Sequence, residues 1–117
     1  MTQTLAIPNW HPTPLNKLTN CHWTTRHKLK RKDFEIVMVY AVAQAIQPAN
    51  GKRRVNLTIV LDKGQRGCDP DAYWKSLLDA LNRSDLLWND SDRWCELGAV
   101  NFERATKRAT IIELIDL

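Results

Sequence analysis

The run Val55-Asn56-Leu57-Thr58-Ile59-Val60-Leu61 alternates apolar and polar residues and is rich in β-branched side chains, which dictates a strand with one face against a core. On either side of it the apolar residues switch to helical spacing. Before it, Leu29, Phe34, Val37, Met38, Ala41 and Ala45 predict a helix over roughly Arg26 to Ile46, stopped by Pro48 and Gly51. After it, Trp74, Leu77, Leu78 and Leu81 predict a second helix from Pro70 to about Arg83. A strand held between two helical periods makes the chain an alternating unit of both structure types. Thr4-Leu5-Ala6-Ile7 forms a short strand ended by Pro8, and residues 9–25 read as a long loop with two prolines. A glycine-broken loop spans Lys63 to Cys68, and the last segments read as a hairpin, Glu96–Phe102 and Arg108–Leu114, turning near Ala105-Thr106-Lys107. The expected order is β-α-β-α-β-β: an α+β fold, one small two-layer domain over residues 1–117 with a mixed sheet.

Length and charge narrow the field further. At 117 residues the chain supports one modest core. Its longest apolar run, Ile36 to Ala43, has eight residues, and a membrane span needs about 20. No signal-peptide pattern opens the chain. Three cysteines (Cys21, Cys68 and Cys95) cannot all pair and form no CxxC, so free thiols and a reducing cytoplasm are expected. The net charge of +4 hides an asymmetry: residues 1–61 carry +7 and residues 62–117 carry −3. Seven of the nine aspartates fall between Asp62 and Asp92. A basic half suits a polyanion, and an oxygen-rich half suits a hard cation.

The chemistry concentrates in Asp69-Pro70-Asp71-Ala72-Tyr73-Trp74-Lys75, then Asp79-Ala80-Leu81, then Trp88-Asn89-Asp90. One reading is local. Asp69 caps a helix with Pro70 in its first turn, and Asp71–Lys75–Asp79 form a ladder of ion pairs at i, i+4, i+8. The other is catalytic. Asp69, Asp71 and Asp90 supply carboxylates to a divalent cation, and Lys75, one turn beyond Asp71, meets a phosphate.

These residues resemble the signature of the RusA-type Holliday-junction resolvases, a family common in bacteria and their prophages: D-x-D-N-x-x-K, an apolar helix ending D-A-L, and a Trp before an acidic turn. The likeness extends to the preceding strand, the C-terminal hairpin and the proline-rich turn with Asn16. It implies a homodimeric, Mg2+-dependent endodeoxyribonuclease, with Mn2+ able to substitute, that resolves branched DNA in recombination and repair by symmetric nicking. It implies Asp69, Asp71 and Asp90 as metal ligands and Lys75 as a catalytic residue. The chain departs from the signature at Ala72, where the family has Asn, and at Cys68, where a basic residue is usual; Arg66 lies two positions upstream. A non-catalytic or weakly active branched-DNA-binding relative is the alternative.

For DNA contacts the candidates are Asn16, Arg26, Lys28, Lys30, Arg31, Lys32, Lys63 and Arg66. The run from Arg26 to Lys32 is either a phosphate-tracking patch or a solvated helix face. Arg53 and Arg54, at a strand start, are expected to face solvent. Cys21, His22 and His27 lack a second ligand pair of zinc spacing and read as ordinary loop residues. Trp74 is expected in the core and Trp88 against the turn that carries Asp90. Trp10 and Trp23 are assigned to core or dimer packing ahead of base stacking.

Overall fold

The structure, a computed structural model, describes all 117 residues. Strand β1 (Thr2–Pro8) is followed by a short helix α1 (Leu15–Thr19) and the long helix α2 (Trp23–Ala43). Strand β2 (Arg53–Leu61), a 3₁₀ turn (Pro70–Tyr73), helix α3 (Trp74–Arg83), β3 (Cys95–Arg104) and β4 (Ala109–Asp116) complete the chain. The expected order holds, with one short helix added inside the proline-rich loop. Helix α2 begins three residues earlier than its apolar spacing indicates, because the His22 ring accepts a hydrogen bond from the Thr24 amide and caps the first turn.

Sheet order is where the structure corrects the expectation. The four strands lie β1-β4-β2-β3, so the last two strands are not a hairpin. They flank β2, which pairs parallel with β3 and antiparallel with β4. The link at residues 105–108 crosses the end of β2, with the Ala105 amide donating to the Leu61 carbonyl. Composition explains the arrangement. β4 carries Ile111, Ile112, Leu114 and Ile115 and suits a central position with neighbours on both sides. β3 carries Glu96, Glu103 and Arg104 and a bulge opposite Asn56, which suit the edge of the sheet and not its centre. At that bulge the Asn56 amide oxygen accepts from the Ala99 amide, and a Cβ on Gly98 would overlap it. The parallel β2–β3 pairing follows from α3, which carries the chain back before β3 begins.

One face of the sheet packs on the helices. Leu5, Ile112, Leu57 and Val100 form one row across the four strands. Beneath them lie Val37 and Ala41 of α2 and Leu77, Leu78 and Leu81 of α3, all in a single core cluster. Two charged residues enter this interior. Asp33 accepts from Trp10 Nε1 (3.1 Å), the Thr13 amide (2.8 Å) and Ser76 Oγ (2.6 Å), so it fastens the proline-rich segment and α3 to α2. Arg53, expected in solvent, is 1% exposed. Its guanidinium donates to Asp116 (2.7 Å) and to the carbonyls of Leu86, Gln47 and Pro48. Strand alternation puts Arg53 inward with Val55 and turns Arg54 outward to Glu96. No helix is long and apolar enough to cross a membrane.

Candidate active site

Asp69 and Asp71 enter the structure at the carboxyl end of β2. The loop leaving Leu61 returns so that Gly67 lies against Leu61 and Phe102, and the Cys68 amide donates to the Tyr73 hydroxyl at 3.0 Å. Tyr73 itself is buried between His11 and Phe102. Burial pushes its hydroxyl above the ordinary value, partly offset by the Cys68 amide. This packing fixes the 3₁₀ turn on which the DxD sequence sits. Asp69 occupies the capping position but makes no capping hydrogen bond with its side chain. Asp71 makes no ion pair with Lys75. Both carboxylates are exposed.

Asp90 stands at the other end of β2. With Lys52, Asp92, Cys95, Glu96 and Leu97 it lines a cleft of about 360 Å³ beside the start of β3. Burial raises the Cys95 thiol above its ordinary value, and the charges of Asp90 and then Asp92 add to this against Lys52. The turn that carries Asp90 is set by Trp88, whose indole donates to the Ala49 carbonyl and packs edge-on against Trp94 at 4.7 Å. Trp88 thus packs against the turn as its position before it implies, while remaining half exposed.

The two anchors, Arg53↔Cys95 and Ile59↔Phe102, are six residues apart along β2, or about 20 Å at strand rise. Within one chain, then, Asp69 and Asp71 face one end of β3 and Asp90 the other, and no trio of His, Cys, Asp or Glu side chains converges on one point. All three carboxylates lack hydrogen-bond and ion-pair partners within the chain, and hard oxygen donors of this kind fit Mg2+. Lys75 projects from α3 at 3.9 Å from Asp79, a loose contact, because Asp79 is held at 3.0 Å by Lys30 of α2.

The basic run on α2 is partly committed to structure. Arg26 donates to the Leu18 carbonyl at 2.7 Å, Lys30 pairs with Asp79 and Arg31 with Glu35, leaving Lys28 and Lys32 unpaired. Asn16 is exposed on α1, and Lys63 and Arg66 project from the loop after β2 with no ion-pair partner. Trp10 is buried, Trp23 is exposed at the start of α2, and Trp74 packs against the edge of the core. All three cysteines are free. Sequence reading missed Lys17, Arg104 and Arg108, which join Arg66 around the same end of the sheet; they are scattered along the chain, and no run or spacing connects them. No known protein family matches this chain, and no curated protein matches it.

Proposed function

We propose that the chain is a Mg2+-dependent endodeoxyribonuclease of the Holliday-junction-resolving type, acting as a homodimer on four-way DNA. The observation that carries this reading is the set Asp69, Asp71 and Asp90 with Lys75. These are exposed side chains whose carboxylates have no structural duty, on a protein whose sequence divides into a basic and an acidic half. A local role for Asp69 and Asp71 would show as a side-chain cap or a pair with Lys75, and neither is present.

The separation of the acids along β3 supports a dimer. β3 is an edge strand with Leu97 and Phe102 exposed. Antiparallel pairing of β3 with a second copy would set Asp90 of one protomer beside Asp69 and Asp71 of the other. It would also give two equivalent sites related by a twofold axis, matching the symmetry of a four-way junction. Asp69, Asp71 and Asp90 would hold Mg2+, which when bound supplies Lewis-acid polarisation of a phosphoryl oxygen and acidifies water. Lys75, on the helix face next to Asp71, stabilises charge on the scissile phosphate or gives a proton to the leaving oxygen.

Cleavage of a synthetic four-way junction in Mg2+, with linear duplex as control, tests the reading. Asp71→Asn should abolish cleavage and leave binding intact or stronger, since one of the repelling carboxylates is gone. Lys75→Ala should slow single-turnover cleavage by about 10²–10³; a drop of less than tenfold makes Lys75 a surface partner of Asp79. Junction binding by the parent protein without cleavage would assign the chain to the non-catalytic alternative, which Ala72 keeps open.

A further inference from the structure

Two hollows adjoin at the carboxyl end of β2 and share Gln65 and Arg66 in their walls. The larger, about 550 Å³, lies between the loop after β2 and the link from β3 to β4, with Lys63 and Arg104 in its lining. The smaller, about 300 Å³, lies under the proline-rich segment and is lined by Lys17 and Arg108. No acidic side chain lines either one. Lys17, Lys63, Arg66 and Arg108 have neither an ion pair nor a side-chain hydrogen bond within the chain. Arg104 donates to the Asp62 and Gln65 carbonyls and keeps its charge uncompensated. Five cations from three distant parts of the sequence therefore line two adjoining hollows, and no acidic side chain stands among the lining residues. On α2, by contrast, acidic residues or a carbonyl already engage three of the five basic side chains of the expected patch.

We infer that these adjoining hollows, rather than the face of α2, are the track for one DNA strand, with Lys17, Arg66 and Arg108 seating consecutive phosphates. The identification of the polyanion as DNA rests on the function proposed above. The wall is built to hold its shape. Trp10 and Thr13 are fastened to buried Asp33, and His11 Nε2 lies 2.8 Å from the Val60 carbonyl. Cys68 lines the smaller hollow, and Asp69 is the next residue. A strand seated there delivers its neighbouring phosphate to the DxD turn, so binding and chemistry share one path.

The test is binding in EDTA, where chemistry is silent, of a fluorescent four-way junction and a single-stranded oligonucleotide across a salt series. K17A/R66A/R108A should weaken binding by about tenfold or more and flatten the salt slope by about 0.9 per lost duplex phosphate contact. K28A/K32A should change neither. The charge reversal R108E, at an exposed position, should weaken binding more than R108A, with thermal midpoints monitored to show that each variant is folded. Parent-like affinity and slope in the folded triple variant overturn the inference even if the parent protein cuts junctions. A loss confined to K28A/K32A overturns it in favour of α2. The expected binding pattern in a protein that never cuts any junction supports the track while defeating the catalytic reading. Displacement of the oligonucleotide by polyglutamate of equal charge overturns the choice of nucleic acid over acidic protein.

Discussion

The two ends of β2 handle positive charge in opposite ways. At the amino end Arg53 is buried, and its donors are taken up by Asp116 and three carbonyls, so the charge stitches the turn after α2, the segment after α3 and β4 into one body. At the carboxyl end Lys63, Arg66 and Arg108 find no partner in the chain. Identical chemistry is committed to architecture at one end and left without a partner in the chain at the other. The contrast teaches that a cation's meaning lies in whether its donors are satisfied, which neither its sequence neighbours nor the net charge reveals.

The largest effect expected from this comparison is at Arg53. Replacing it with Met leaves the Leu86, Gln47 and Pro48 carbonyls without their donor and partly exposed Asp116 without its partner, which should cost about 3–5 kcal/mol in urea unfolding. A loss under about 1 kcal/mol would break the contrast, since the amino end would then be no more committed than the other. Next comes Asp33. Asp33→Ala leaves Trp10 Nε1, the Thr13 amide and Ser76 Oγ without their acceptor and should destabilise by about 2–3 kcal/mol. It should also loosen the wall of the hollow, visible as faster hydrogen exchange at the amides of Trp10, His11 and Thr13. The smallest effect belongs to Lys63→Ala, which should leave stability within about 0.5 kcal/mol of the parent. A clear stability loss there would show that the carboxyl end is structural as well.

Much of the fold is legible in the residues themselves. Alternation in β2 and helical spacing in α2 and α3 depend on local geometry, so those elements fall where their patterns put them. The order of strands does not. Pairing across the sheet is set by which strand can bury both faces, and the short link between β3 and β4 suggests a hairpin until the apolar content of β4 is weighed against the charges of β3. Arg53 and Arg54 look equivalent in sequence; only the inward register of β2 separates them. Of the candidate site, the DxD turn and the Lys75 helix are local and were readable. The distance between Asp69 and Asp90 is tertiary, and so is the gathering of Lys17, Arg66 and Arg108.

The sheet order also bears on how the molecule is made. β1, the first strand to be synthesised, pairs only with β4, the last strand in chain order. Until β4 leaves the ribosome, β1 has no neighbour and the inner edge of β2 stays open. The most non-local contacts of the sheet therefore close in a single late step, with a long loop-closure search behind it. A nascent chain halted before residue 109 would present two unpaired apolar strand edges, an aggregation hazard that lasts until β4 closes the sheet.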